Sequence, residues 1–197
     1  VLTLYFLKRY GADYLCMAPN IEQYHVINHL TQQETDEKRN VLVESARIAR
    51  GEIRDIKDVK AEDIDALILP GGFGAAKNLS DFAFKGDGAR VQPEVERLLK
   101  EMVNHKKPIG AICIAPATVT KALEGMAPEI TIGQDIQTAS LLEKMGAKHH
   151  FCRVDEVWVD LKRKLVTTPA YMLGPSILDV AQGIERLVRE VLALTRV

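Results

Sequence analysis

Cys113 has the sequence context of a nucleophile placed at a sharp junction between a strand and a helix. An apolar run, residues 107–112, precedes the thiol, and residues 114–117 begin an amphipathic stretch after it. The positive end of a helix stabilises an anion, so a thiol placed there is expected to react as its thiolate. Small neighbours such as Gly110 and Ala115 leave room for a tight backbone turn. The alternative is a buried cysteine that fills space as a small hydrophobic side chain.

A glycine-rich loop at residues 70–74 follows a short apolar strand predicted over residues 65–69. Gly71 and Gly72 permit backbone torsions that expose amide N–H groups, and the amide of Ile114 directly follows the thiol. Ligands of open α/β sheets bind beyond the carboxyl ends of the strands. We therefore expect these donors to converge on an oxyanion that develops beside the sulfur. A glycine loop alone is usually only a turn, whereas this loop together with the Cys113 junction predicts acyl or carbonyl chemistry.

None of the five histidines has a context that identifies it as the base for this thiol. His25 and His29 flank a short extended segment, His105 ends a predicted helix, and His149 and His150 follow another helix. A cysteine nucleophile normally works with a base. The base is therefore expected to be a carboxylate or to lie before residue 1. The histidine pair lacks the ligand spacing of a metal site, and neither a metal nor a cofactor is predicted.

Strand-like and helix-like segments alternate along the chain, which predicts an α/β fold with a doubly wound, mostly parallel sheet. Segment 31–39 is predicted to be a polar connection, and segments 155–160 and 164–168 are predicted to pair as a small β-hairpin. Further strands are predicted over residues 14–18, 26–29, 65–69 and 109–112. Helices are predicted over residues 40–50, 93–105, 115–123, 136–145 and 177–194.

The first eleven residues have the pattern of the second half of an amphipathic helix that ends at Gly11. An α/β sheet normally opens with a strand before its first helix. We therefore expect a strand, its loop and one helical turn, about twenty residues, to precede Val1. The prediction is one domain over residues 1–197 that is incomplete at its N-terminus and lacks its first strand.

The composition argues against several classes of protein. The 26 basic and 27 acidic residues give a net charge of −1, and no basic stripe suggests a nucleic acid or a membrane surface as partner. Three cysteines (Cys16, Cys113 and Cys152) are odd in number and widely spaced. This predicts free thiols in a reducing compartment, the cytoplasm or, in a eukaryote, the mitochondrion. No apolar run has the length of a membrane span.

Several motifs resemble a known family. Residues 70–80, 112–116 and 166–172, together with residues 26–31 and 40–51, closely resemble ElbB-type proteins. These isoprenoid-biosynthesis-associated proteins form a branch of the ThiJ/PfpI superfamily, which is related to class I glutamine amidotransferases. The resemblance spans essentially the whole chain. It implies a flavodoxin-like three-layer sandwich with Cys113 as the nucleophile and the amides of Gly72 and Ile114 as the oxyanion hole.

The chain also departs from related groups in ways that bear on the base. In the wider superfamily a glutamate near the first strand hydrogen-bonds the thiol and carries protons, and the corresponding loop would precede Val1. Ile114 stands where protease-like members carry a histidine. The region around Pro169 lacks the His-Pro-Glu signature that supplies the amidotransferase base. The resemblance therefore implies a thiol that works with a carboxylate.

The activity implied by the resemblance is that of a cofactor-independent, glyoxalase III-like lyase. Such an enzyme converts glyoxal to glycolate, or methylglyoxal to lactate, through a hemithioacetal on Cys113. Repair of glycated amines begins with the same step and stays open. A non-catalytic role also stays open, in which Cys113 is an oxidisable sensor or part of a protein-binding module. Superfamily members commonly form dimers, so a homodimer is expected, with the hairpin around Trp158 as one candidate surface.

Overall fold

The structure is a computed structural model that describes residues 1–174 and 176–196. Helices and strands alternate, which confirms the predicted α/β fold. The helices are α1 (Leu2–Arg9), α2 (Val41–Ala49), α3 (Phe82–Lys85), α4 (Pro93–Asn104), α5 (Ala115–Ala122), α6 (Ile136–Lys144) and α7 (Ile177–Leu194). The strands are β1 (Cys16–Ala18), β2 (Val26–Asn28), β3 (Gln33–Thr35), β4 (Ile53–Asp55), β5 (Leu67–Leu69), β6 (Ile109–Ile112), β7 (Glu129–Ile130), β8 (Lys148–His149), β9 (Trp158–Asp160) and β10 (Leu165–Thr168).

The central sheet has the strand order β5-β6-β10-β9. Its first three strands are parallel, with Leu67 of β5 and Leu165 of β10 both opposite Ile109 of β6. Strand β9 runs antiparallel to β10, which confirms the predicted hairpin. All residues of β6 and β10 are buried, as expected for parallel strands that are covered on both faces.

Helices cover the two faces of this sheet and give the predicted three layers. On one face, α4 and α5 contribute fully buried side chains such as Leu98, Met102 and Val119. On the other face, α7 packs on β6 and β10, and α1 packs on α7. The apolar stripe predicted for α7 is buried there, for example at Leu187 and Val191. The sheet is thus held between two apolar clusters, and its strand ends are left for the loops.

Among the residues that the structure describes, three short strand pairs lie outside the central sheet, and the sequence patterns missed part of each. Strand β1 pairs in parallel with β4, and β7 pairs in parallel with β8. Segment 31–39, predicted to be only a connection, contains β3, which forms an antiparallel hairpin with β2. The prediction was wrong because the side chains of β3 are polar and mostly exposed, so no apolar alternation marks the strand.

The N-terminal helix ends as predicted, with Gly11 at a φ of 75° just beyond α1. In the described part of the chain, β1 has only β4 as a neighbour and β5 is an edge of the central sheet. The expectation that a further strand precedes this sequence stays a prediction. Within residues 1–174 and 176–196, no helix is long and apolar enough to cross a membrane.

Candidate active site

Cys113 lies between the end of β6 and the start of α5, which is the sharp junction that the sequence predicts. Its φ of 62° is in the left-handed region, which non-glycine residues rarely adopt. Its N–H donates to the carbonyl oxygen of Thr168 at 2.9 Å and thereby ties the junction to β10. Ile114 is the N-cap of α5. The half-buried thiol therefore sits on a strained turn, a feature that is concentrated at functional sites.

The glycine loop runs directly against this thiol. A Cβ atom added to Gly71 would lie 2.4 Å from Cβ of Cys113, 2.6 Å from the carbonyl oxygen of Ile112 and 3.2 Å from the sulfur. Only glycine permits such a close approach of two backbone segments. Gly72 next to it has a φ of +100° and open space around it. The structure thus brings together the two features that the sequence placed on neighbouring strands.

Two backbone donors beside the thiol are free to bind an anion. Within residues 1–174 and 176–196, the N–H groups of Gly72 and Ile114 donate no hydrogen bond to the protein. Backbone N–H groups are strong donors that usually have a partner, and unpaired ones near a nucleophile are suited to an oxyanion. The sequence predicts that these two donors converge on an oxyanion beside the sulfur. The catalytic roles of Cys113, Gly72 and Ile114 stay predictions.

Four of the five histidines make side-chain contacts with other residues. His149 Nε2 accepts a hydrogen bond from the N–H of Ile132 at 3.3 Å, and burial lowers the pKa of His149. His150 bonds to Glu129 at 2.8 Å. His105 Nε2 lies 3.0 Å from the carboxylate of Glu62. No residue of the described chain hydrogen-bonds the sulfur of Cys113, and the predicted carboxylate partner stays a prediction.

The other two thiols, Cys16 and Cys152, are less suited to act as nucleophiles. Cys152 is buried and Cys16 is half-buried. Burial raises the pKa of both thiols, because it disfavours the thiolate. The part of the chain that the structure describes contains no group of three or more His, Cys, Asp and Glu side chains that could hold a metal ion.

A second cluster, here called the rim cluster, stands beside the glycine loop. It consists of Tyr24, His25, Glu34, Phe73, Lys77, Asn78 and Phe84. Nζ of Lys77 lies 3.3 Å from Nδ1 of His25, and Nε2 of His25 lies 3.5 Å from a carboxylate oxygen of Glu34. The N–H of Tyr24 donates to Oδ1 of Asn78 at 2.9 Å. The hairpin β2–β3 and the loop after β5 are thereby joined.

Sequence reasoning missed this cluster. From sequence, residues 77–80 fit a pocket lining or a first helical turn equally well, and His25 reads as a surface or structural residue. Residues 75–79 form a short π-helical turn, which carries Lys77 towards a histidine 52 positions earlier in the chain. No local sequence pattern predicts such a contact, because the contact depends on how the hairpin β2–β3 folds back against this turn.

Trp158 is less exposed than the sequence suggests. Its ring is half-buried and stacks on His150 with ring centroids 3.4 Å apart and planes inclined by 8°. It lines an open groove together with Phe151 and Arg186. The indole N–H is buried and has no hydrogen-bond partner among the described residues. The dimer surface expected around the hairpin stays a prediction.

Comparison with known proteins identifies relatives over nearly the whole chain. Residues 52–168 match the model of the DJ-1/PfpI family. The chain is 46% identical over 202 residues to the human protein named glutamine amidotransferase-like class 1 domain-containing protein 3, mitochondrial, and the match covers 98% of this chain and 75% of that protein. It is also 46% identical over 203 residues to the ES1 protein homolog, mitochondrial, of Rattus norvegicus, with the same coverage.

Among solved structures, the chain resembles an isoprenoid biosynthesis protein with an amidotransferase-like domain from Ehrlichia chaffeensis. The TM-score is 0.91 at 38% sequence identity, and the match covers 98% of this chain and 88% of that one. The similarity therefore extends well beyond the site to the order and packing of the whole sandwich.

Proposed function

The chain belongs to the DJ-1/PfpI family, and on that premise we propose that it is a cofactor-independent, glyoxalase III-like enzyme. It converts glyoxal or methylglyoxal into the corresponding 2-hydroxy acid. The family includes glyoxalases, proteases and chaperone-like proteins, so membership alone does not select this activity. The observation that carries the proposal is the half-buried thiol of Cys113, held at a φ of 62° at the start of α5 with Gly71 against it.

The reaction begins at the aldehyde carbon of the substrate. The thiolate of Cys113 attacks it, a C–S bond forms, and the carbonyl electrons move to oxygen. The N–H groups of Gly72 and Ile114 face no protein acceptor in the described chain and are assigned to that oxyanion. The result is a hemithioacetal, as is usual for covalent catalysis by a cysteine.

The hemithioacetal then rearranges without an external oxidant. A base removes the proton from the former aldehyde carbon, an enediol forms, and the proton is returned to the neighbouring carbon. The product is a 2-hydroxy thioester, which water hydrolyses to the 2-hydroxy acid and the free thiol. The net change is the addition of one water. The proton carrier is assigned to a carboxylate expected before Val1.

Two alternatives rest on the same thiol. Repair of glycated amines also begins with a hemithioacetal-type adduct. A redox-sensing or protein-binding role is favoured by the accessible thiol of Cys113, whose sulfur has neither a disulfide nor a hydrogen-bond partner among the described residues. An oxidisable thiol of this kind is readily converted to its sulfinic acid.

The narrower assignment and the setting of the protein are also proposals. We assign the chain to the ElbB-type branch on the motifs at residues 70–80 and 112–116, supported by the similarity to the Ehrlichia chaffeensis protein. A reducing compartment, the cytoplasm or the mitochondrion, suits three free cysteines. Two relatives carry the word mitochondrial in their names. A homodimer is proposed, and a monomeric mass at micromolar concentration would reject it.

The deciding experiment measures turnover of glyoxal and methylglyoxal by the full-length protein, including any residues before Val1. Wild type, Cys113→Ala and the matched Cys16→Ala variant are compared by formation of glycolate or lactate. We expect Cys113→Ala to lose all measurable turnover and Cys16→Ala to retain it. Absent turnover in the folded wild type, or equal activity in Cys113→Ala, rejects the enzyme proposal. Binding of a partner that is lost on oxidation of Cys113 then favours the sensor.

A further inference from the structure

We propose that Lys77, positioned by His25, binds a carboxylate group of the substrate, so that the preferred substrate is an anionic 2-oxoaldehyde. This inference rests on the proposed function at Cys113 and narrows its substrate class. It is carried by the rim cluster, which lies beside the glycine loop and takes no part in the steps assigned to Cys113, Gly72 and Ile114.

The first observation is the unsatisfied charge of Lys77. An ammonium group has three N–H donors. Here Nζ lies 3.3 Å from the ring nitrogen Nδ1 of His25, and in the tautomer that leaves Nδ1 unprotonated this nitrogen accepts one of the three N–H groups. In the described part of the chain, no carboxylate oxygen lies within the 4.0 Å of an ion pair with Lys77. The nearest acid of the cluster, Glu34, is held on the far side of His25 at 3.5 Å. Two donors of Lys77 therefore remain for a ligand.

The second observation is that the ammonium group is held in place. It lies 5.5 Å from the ring centroid of Phe73 and 6.0 Å from that of Phe84. Phe84 in turn packs on Tyr24 with ring centroids 4.2 Å apart. The hydrogen bond from Tyr24 to Asn78 holds the His25 segment against the same turn. A cation restrained in this way loses less side-chain freedom when it binds a ligand.

The third observation is the position of the cluster relative to the thiol. Gly71 contacts Cys113, Phe73 follows two residues later, and the π-helical turn 75–79 carries Lys77. Phe73 is 79% exposed and Tyr24 is 59% exposed, so the cluster is open to solvent on the side of the loop. On this proposal, the substrate carboxylate is bound at Lys77 and its aldehyde end crosses the glycine loop to Cys113.

These observations favour a carboxylate. A single ammonium with two free donors matches one negative charge through charge-assisted hydrogen bonds. A phosphate dianion normally gathers several cationic or backbone donors. One substrate of this class is 4,5-dioxopentanoate, whose 2-oxoaldehyde end reacts with Cys113. Addition of one water gives 2-hydroxyglutarate, with no external oxidant or reductant.

The first test compares 4,5-dioxopentanoate with its methyl ester, which lacks the negative charge and carries one additional methyl group. We expect wild type to prefer the acid and Lys77→Met to lower kcat/KM for the acid by about 10- to 100-fold, the range of hydrogen bonds to charged groups. The same substitution should change kcat/KM for the ester little. Lys77→Arg should restore part of the preference. Lys100→Met, which removes the same charge from α4 where Lys100 pairs with Glu96, serves as the matched control. An unchanged acid-to-ester ratio in Lys77→Met rejects the proposal.

The second test needs no turnover, so it separates this proposal from the proposed function. Cys113 is alkylated with iodoacetate and with iodoacetamide, which are a charged and a neutral reagent of the same size. Any change in the thiolate fraction affects both rates equally and cancels in their ratio. We expect the iodoacetate-to-iodoacetamide ratio to fall by about 3- to 10-fold in Lys77→Met. A purely structural role of Lys77 would change both rates together, and that result overturns the proposal.

Discussion

Gly71 and Cys113 are packed so closely that a methyl group on Gly71 would lie 2.4 Å from Cβ of Cys113. The contact joins the ends of β5 and β6, which are neighbouring parallel strands. It places the glycine loop directly against the thiol. The two segments are therefore one site, and a change in the loop must act on the thiol.

Gly71→Ala should lower both stability and the reactivity of Cys113. The added Cβ meets the backbone of Ile112 as well as the cysteine, and neither can move without shifting β6. We expect a loss of about 1–3 kcal/mol in the free energy of unfolding, as for other overpacked sites. Urea unfolding and the alkylation rate of Cys113 measure the two effects.

The matched control for this change is Gly88→Ala. A Cβ on Gly88 would have nothing within 4 Å, and its φ is outside the left-handed region. We expect a change of less than about 1 kcal/mol, in either direction. Equal effects of the two substitutions would contradict the close contact at Gly71.

The three thiols should differ sharply in their rates of alkylation in the folded protein. Burial raises the pKa of Cys16 and Cys152 above the ordinary value of 9.0, so both stay protonated near neutral pH. Cys113 is half-buried at the head of α5, and its sulfur has no hydrogen-bond partner within the described residues. Peptide mapping by mass spectrometry after brief iodoacetamide treatment should find Cys113 modified first.

Unfolding in urea provides the control, because it should make the alkylation rates of Cys16, Cys113 and Cys152 similar. Labelling of Cys152 at the rate of Cys113 in the native protein would show that Cys152 is more accessible than its 5% exposure indicates.

The sequence predicted the elements that are set by apolar periodicity. Strand β6 and helix α7 have the boundaries expected, residues 109–112 and 177–194, because a continuous apolar run and a helical stripe are local patterns. Strands β3, β4, β7 and β8 were missed, because each is only two or three residues long and none is a continuous apolar run. Their pairing partners, and not their own side chains, make them strands.

At the candidate site, too, features set by consecutive residues were predictable, and contacts between distant segments were predictable only in part. The Cys113 junction was predictable, since strand, thiol and helix are consecutive in sequence. The loop at Gly71 and Gly72 was predictable as a feature, and its contact with the thiol followed from the rule on parallel strand ends. The pairing of Lys77 with His25 was not predictable, because it depends on a polar hairpin that has no apolar signal.

Trp158 should tolerate replacement by phenylalanine better than an aromatic core residue normally does. Its indole N–H is buried without a partner among the described residues, and such a group costs about 1–3 kcal/mol. Trp158→Phe removes this group and keeps a ring to stack on His150, whereas Trp158→Ala removes both. We expect the alanine variant to lose more free energy of unfolding than the phenylalanine variant.

Chemical denaturation of the two variants beside wild type measures this difference. Equal losses would mean that the stacking on His150 contributes little and that the indole N–H is satisfied in solution.

His149 should make the protein less stable as the pH falls. Burial lowers the pKa of the folded His149 below its ordinary value of 6.5, because it disfavours the imidazolium. The unfolded chain therefore binds the proton more readily than the folded chain. The contribution of this residue to stability is present above pH 6.5 and is lost as the pH drops from 6.5 towards the lower folded pKa. Protonation also removes the acceptor for the N–H of Ile132.

His149→Gln keeps an acceptor for Ile132 but cannot titrate. The free energy of unfolding, measured in urea at pH 7.5 and 5.5, should fall more in wild type than in this variant. Carboxylates such as Glu101, whose pKa is lowered in the folded state, lower the free energy of unfolding in acid equally in both proteins. The difference between the two pH dependences therefore measures the contribution of His149. The exposed His29, replaced by glutamine, is the matched control for the loss of an imidazole ring. An identical pH dependence in wild type and His149→Gln would show that folded His149 titrates as it does in the unfolded chain.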